Sequence, residues 1–233
     1  LCPTLSISDQ ELFEELYNEA IAKGGVDLCC GQASKDYLDG RPSEILKNPE
    51  VASGKLTREK RSYFLTHYVS LFWTFIYKKE MVEKHHIRYP ESRSADDSYF
   101  VTSNLLLADS IAYVNKPFYH YLIRPGSVCS TKDSTKYQKR LATFTSLMSF
   151  LKEKGCYAGY KNEIDFIYIK KGYLSSVFNY VVNSTTPRKE VLNEIYSELL
   201  KEIPDYKKNP FYKSKKTLQI LICCIRHCPS EDY

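Results

Sequence analysis

Apolar positions in this chain follow two regimes. Up to about residue 130, helical stripes alternate with short apolar runs, and beyond it helical stripes succeed one another. Ser8-Asp9-Gln10-Glu11 reads as a capping box, with Ser8 accepting from the N–H three residues on and Glu11 reaching back. Leu12, Phe13, Leu16, Tyr17, Ala20 and Ile21 then form a stripe at helical spacing, which Gly24-Gly25 ends. Val26 to Cys30 is a compact apolar run and predicts a buried strand. Gly31 to Lys60 is polar and poor in periodicity, with a turn at Asp39-Gly40 and room for a hairpin followed by a loop. Tyr63 to Phe75 is dense in aromatics, and Lys79 to Lys84 predicts a short helix.

Asp97, Phe100, Val101, Asn104, Leu105 and Ala108 share one helical face, which predicts a helix over about 96–108. Ile111 to Val114 and Phe118 to Ile123 read as two strands around a hairpin turn at Asn115-Lys116. After Ser130, Leu141, Phe144, Leu147, Met148 and Leu151 mark a helix over Tyr137 to Lys154. A second covers Glu163 to Val182, with Gly172 a weak point. A third begins at Thr186-Pro187, threonine as N-cap and proline in the first turn, with Val191, Leu192, Ile195, Tyr196, Leu199 and Leu200 as its stripe. A last helix covers about Ser214 to His227. The expected architecture is an α/β region over 1–130, a partial sheet with flanking helices, followed by a mainly helical region over 131–233.

Composition narrows the picture in three places. With 233 residues the chain buries enough surface to fold without staples. Its eight cysteines have irregular spacing and include two adjacent pairs, so they read as reduced thiols of a cytoplasmic protein. Cys223 to Cys228 lacks the second ligand pair that zinc requires. The net charge of +5 is local, because Lys207 to Arg226 holds six basic residues and no acid. The remainder is nearly neutral, which argues against nucleic acid as the main partner. That basic approach to an apolar run predicts either a packed surface helix or peripheral contact with an anionic membrane through 207–226. No apolar run reaches the length of a membrane span.

The chemistry concentrates between Leu71 and Ser130. Asp96-Asp97 opens a helix, and the expected hairpin delivers Arg124 and Ser127 nearby. Carboxylates beside a guanidinium suit activation of a hydroxyl next to a phosphate. Neighbouring helical side chains point about 100° apart, so the two aspartates do not share a proton as a facing dyad does. Asp97 falls beside Phe100 and Val101 and is partly desolvated, which raises a carboxyl pKa, while a helix N-terminus favours the anion. The sequence leaves that contest open. It also leaves open the plainer reading, in which both aspartates only cap the helix.

Ser70-Leu71-Phe72-Trp73-Thr74-Phe75-Ile76-Tyr77-Lys78-Lys79, then Ala95-Asp96-Asp97, then Pro117-Phe118-Tyr119-His120-Tyr121 and Arg124-Pro125-Gly126-Ser127 together resemble the back half of family-two glycosyltransferases of the GT-A fold. The resemblance covers about residues 8 to 130. It implies an inverting transfer from a nucleotide-sugar donor to the hydroxyl of a glycan or lipid-linked acceptor. It also implies Asp97 as the catalytic base, Asp96 beside it, Trp73 in the acceptor wall, and Arg124 and Ser127 on the phosphates. For the whole enzyme it implies a divalent metal, Mn or Mg; the reduced thiols point to the cytoplasm, with the basic 207–226 segment offering peripheral contact at the inner face of a membrane.

This chain departs from the family pattern at Asp96, where glutamate is usual, and at Thr74, where asparagine is frequent. The larger departure lies at the start. The family's aspartate-rich metal motif would fall near Pro3 to Ser6, where no carboxylate stands, so no metal ligand is identified in this chain. The chain opens on Leu1, and the nucleotide-binding half that the family carries upstream has no counterpart in it. The expectation is a fragment or a shortened relative that binds nucleotide sugar poorly by itself. The alternative is a non-catalytic interaction or membrane-docking domain derived from that family.

Overall fold

The computed structural model describes residues 7–8, 11–91, 94–123, 133–216, 219 and 222. The chain divides into two compact units, one of Leu1–Tyr89 with Phe100–Thr131 and one of Pro90–Tyr99 with Lys132–Tyr233. The first is α/β and the second mainly helical.

The first unit is built on the parallel pairing of β2 (Leu28–Tyr37) with β6 (Ser110–Ile123). Around them lie β1 (Ile7–Ser8) on β6, β3 (Glu44–Leu46) on β2, β4 (Gly54–Lys55) on β6 and β5 (Phe75–Tyr77) on β2, all antiparallel. Helix α1 (Leu12–Ala22) lays Leu12, Leu16 and Ala20 against Val26, Cys29, Ala112 and Phe118. Fully burying each of those leucines is worth roughly 1.5–3 kcal/mol. The helix ends as expected: Gly24 and Gly25 take φ of 88° and 73°, and the N–H of Gly25 closes on the carbonyl of Ala20 at 2.9 Å.

The expected capping box is absent. Ser8 pairs in β1, and Glu11 occupies the cap without a side-chain bond to the helix. Its carboxylate is drawn instead to Lys116 at 3.1 Å, a cation that Glu15 shares at 2.5 Å. The stripe on α1 is also narrower than expected. Phe13, Tyr17 and Ile21 stand 65, 60 and 55% exposed beside the buried row.

The expected hairpin at Asn115-Lys116 is not formed either. Residues 110–123 are one strand, and both of its halves pair with β2 in the same parallel sense. The register jumps from Cys30↔Tyr113 to Gln32↔Pro117 and then to Ala33↔Tyr119, so the extra residues of β6 bulge within the strand. A parallel neighbour already satisfies the backbone on both sides of Asn115-Lys116, which removes the reason to turn. Gly31 makes this approach possible. A Cβ there would meet the Phe118 ring at 2.8 Å and the carbonyl oxygen of Lys116 at 3.3 Å.

Helix α2 (Arg58–His67) was not foreseen. Thr57 caps it by accepting from Lys60 N–H, and Phe64 and Leu65 anchor it. A 3₁₀ turn at Phe72–Thr74 leads into β5, and α3 (Lys79–Lys84) follows as expected. Helix α4 (Asp96–Leu107) is buried through its middle, where Thr102 bonds to Tyr68 at 2.5 Å.

In the second unit, α5 (Lys136–Glu153) buries Leu141, Phe144, Leu147, Met148 and Leu151. The expected helix over Glu163–Val182 is three segments: α6 (Lys161–Ile167), a π-helical stretch (Tyr168–Leu174) and α7 (Ser175–Asn183). The wide turn falls on Gly172, whose missing Cβ would lie 3.2 Å from the Phe144 ring. Helix α8 (Lys189–Glu202) buries Val191, Ile195 and Leu199, but it starts after Arg188, so Thr186 does not cap it. Helix α9 (Pro210–Lys213) begins under an Asn209 cap. Most of the expected last helix, and with it much of the 207–226 membrane segment, lies outside the described residues. Among the described residues no helix is long and apolar enough to cross a membrane.

Gly31→Ala is expected to destabilise the protein by about 1–3 kcal/mol, because the added methyl overpacks a site closed by a ring and a carbonyl. A lower urea midpoint at unchanged slope is the expected reading.

Candidate active site

The chain enters α4 through Ala95, held left-handed at φ 61°. For a residue with a Cβ that conformation is strained by roughly 1–3 kcal/mol, and such strain persists where neighbours over-determine it. Here Ser94 accepts from the Thr143 hydroxyl of α5 at 2.8 Å, and the ring of Tyr99 lies 5.7 Å from that of Phe150. Asp96 and Asp97 follow at the first turn, and both belong to the second unit.

Asp97 is half-buried, neither sealed in the core nor free in water. Burial, and next the charge of Asp96 beside it, push its carboxyl up from 3.8 to about 6. Burial is the larger of the two causes. A carboxylate with a pKa near 6 is a stronger base than an ordinary one and is still largely ionised at neutral pH.

Trp73 belongs to the first unit, on the 3₁₀ turn before β5. Its ring leans on Tyr119 at 5.3 Å and stacks with Tyr121 at 5.8 Å. It lines a cavity of about 340 Å³ with Phe72, Tyr77, Tyr89, Phe100 and Tyr119. Tyr89 and Phe100 lie nearly parallel there, 4.3 Å apart. The indole Nε1 is buried with no hydrogen-bond partner among the described residues. Phe100 follows Asp97 by three positions on α4, less than one helical turn. Thr74, where the family has asparagine, is fully buried, and Asn48 donates to its hydroxyl at 3.0 Å.

The structure gathers further polar residues that periodicity did not single out. Gln32, Ser34 and Asp36 alternate along β2 and meet Tyr113, Asn115 and His120 of β6. The Ser43 hydroxyl first, and His120 and Ser34 after it, hold the Asp36 carboxyl below its usual range. Ser34, His120 and Asp36 resemble a nucleophile relay in composition only. Hydroxyl and carboxylate both address Nδ1, at 2.9 and 3.0 Å, whereas a relay needs them on opposite ring nitrogens. The signal in the sequence was the polar alternation of 32, 34 and 36, which the surrounding polar segment concealed.

No family model matches this chain. It is 28% identical over 96 residues to "Putative glycosyltransferase EpsH" of Bacillus subtilis strain 168, a match over 40% of this chain and 28% of that protein. Among solved structures it resembles S. aureus TarS 1-349 in complex with UDP, with TM-score 0.54 and 14% identity, over 95% of this chain and 63% of that one. The complex of the same protein with UDP-GlcNAc gives TM-score 0.50 and 14% identity, over 95% and 64%. This chain resembles glycosyltransferases. It spans under a third of the curated relative and less than two thirds of the solved TarS chain.

Arg124 and Ser127 lie outside the described residues. Among the described residues, no group of three or more His, Cys, Asp or Glu could hold a metal ion. These residues do not fit the divalent ion that the resemblance implies. Cys29 and Cys30 are buried free thiols, and burial holds both well above the usual range, Cys29 at about 12. Such thiols are packing residues, not nucleophiles.

A carboxyl whose folded pKa is raised contributes stability that is whole below its unfolded value near 4 and is lost as pH rises through about 6. Asp97→Asn is therefore expected to match the wild type in stability near pH 3.5. Above pH 6.5 it should exceed it by roughly 1–2 kcal/mol, once solvent screening of a half-exposed group is allowed for. Denaturant melts at both pH values check this.

Proposed function

We propose that this protein forms the acceptor side of an inverting, family-two glycosyltransferase of GT-A type, with Asp97 as the catalytic base. The observation that carries the reading is the Asp97 carboxyl, half-buried at the head of α4 with its pKa raised to about 6. An acceptor hydroxyl is too weak an acid to attack unaided. Asp97 takes its proton as the oxygen bonds to the anomeric carbon of the donor, and the nucleoside diphosphate leaves from the opposite face. Burial first, and the charge of Asp96 after it, keep the pKa of Asp97 high. Trp73 is assigned to the acceptor wall by the sequence resemblance, and in the first unit it lines an aromatic cavity of the kind that suits a sugar ring.

The donor in this reading is a nucleotide sugar, of the kind that the TarS structure holds. Arg124 and Ser127 are assigned to its phosphates by the sequence resemblance alone. Peripheral attachment at a cytoplasmic membrane face, through the lysines of 207–226, accords with a lipid-linked or polymeric acceptor.

The row of Phe13, Tyr17 and Ile21 on α1 favours a second reading, an interaction domain without catalysis. The full-length gene product separates the two. Incubated with a panel of UDP- and GDP-sugars and lipid-linked glycan acceptors, it is expected to transfer sugar with a rate that rises through pH 6. Asp97→Asn should reduce the rate by about 10²–10⁴-fold and remove that pH dependence. Transfer retained in the variant overturns the assignment of the base, and no transfer by the wild type favours the interaction domain.

A further inference from the structure

A second cavity, of about 310 Å³, opens in the first unit where the β2–β6 register jumps. Bulges of this kind re-aim side chains and recur beside functional sites. Its lining includes Gln32, Asn48, Tyr63, His67, Tyr113 and Asn115. Asn48 is consumed by structure: its amide nitrogen donates to the Gly31 carbonyl and to Thr74, and its oxygen accepts from Val69 N–H. The Gln32 amide donates to the Tyr113 oxygen at 2.5 Å and to the Asn115 oxygen. These bonds lock a buried carboxamide, a phenol and a second carboxamide into one array. Among the described residues, the oxygen of Gln32, the amide nitrogen of Asn115 and the hydroxyl proton of Tyr113 remain uncommitted.

At the rim, the rings of Tyr63 and His67 lie 4.6 Å apart, and the Tyr63 ring is half-exposed. The imidazole addresses the Tyr63 carbonyl through Nδ1 at 2.9 Å. Lys47 and Glu50 add one charge of each sign, so the cavity is neutral as a whole. A neutral array of mixed donors and acceptors beside a flat aromatic face suits a ligand whose every polar group both donates and accepts. Sugar hydroxyls are such groups, and an anion would find no excess of positive charge here.

We infer that this cavity is a carbohydrate subsite for one neutral sugar unit of a glycan, separate from the aromatic cavity at Trp73. Tyr63 carries the apolar face of the sugar ring. Gln32 accepts from a hydroxyl, and Asn115 and Tyr113 donate to one. The choice of a glycan rests on the glycosyltransferase reading, but binding here needs neither donor nor catalysis.

The test is a titration of the protein with N-acetylglucosamine, methyl β-glucoside and chitotriose, followed through the side-chain amide NMR signals of Gln32 and Asn115. Uridine is titrated as a comparison. Saturable shifts with at least one sugar are expected. Tyr63→Ala and Asn115→Ala should each weaken binding about tenfold, and Asp97→Asn should leave it unchanged. Should Asn115→Ala fail to fold, Tyr63→Ala at the half-exposed rim carries the comparison. Silence with all three sugars, saturation by uridine instead, or binding indifferent to Tyr63 overturns the inference. Sugar binding here without transfer by the wild type defeats the transferase reading alone, and transfer with no sugar at this cavity defeats the subsite alone.

Discussion

The parallel pairing of β2 with β6 is the constraint on which the first unit depends. The paired residues lie more than eighty positions apart, and much of their backbone is shielded from water. Each N–H and C=O in such a ladder needs a partner, so neither strand can shift without exposing unpaired groups. The mismatch in their lengths is absorbed at one place, opposite Gly31 and Gln32. There the absence of a side chain on Gly31 lets Phe118 and Lys116 close in. The consequences run in two directions. Phe118 completes the core under α1, and Tyr113 and Asn115 are carried to Gln32, where the polar cavity forms.

The candidate base arises from a different balance. At the first turn of α4, burial first and the charge of Asp96 after it raise the carboxyl pKa of Asp97. That outcome depends on how the segment before the helix is held. Ala95 in a left-handed conformation and the Thr143 bond to Ser94 set where the helix begins. The anchoring residues Thr143 and Phe150 come from α5. Pro90–Tyr99 accordingly groups with the helical unit, although its sequence neighbours on both sides belong to the α/β one.

The relatives give this balance its context. EpsH and TarS are longer than the stretch they share with this chain. This chain holds an aromatic cavity in its first unit and a carboxyl of raised pKa in its second.

Local rules alone determined a good deal. Glycines ended α1, and apolar spacing located α4 and α5 to within a residue or two. These features depend on contacts within a few residues or on one face of one element. What failed depended on distant partners. Lys116 took the carboxylate of Glu11 away from the helix, and β2 held Asn115-Lys116 in a strand where the dipeptide alone reads as a turn. Neighbours also left Phe13, Tyr17 and Ile21 outside while Leu12, Leu16 and Ala20 went in. The pKa of Asp97 and the polar array around Gln32 belong to the same class. Each is a sum over groups brought close only by the tertiary fold, and such a sum has no signature in the linear order of residues.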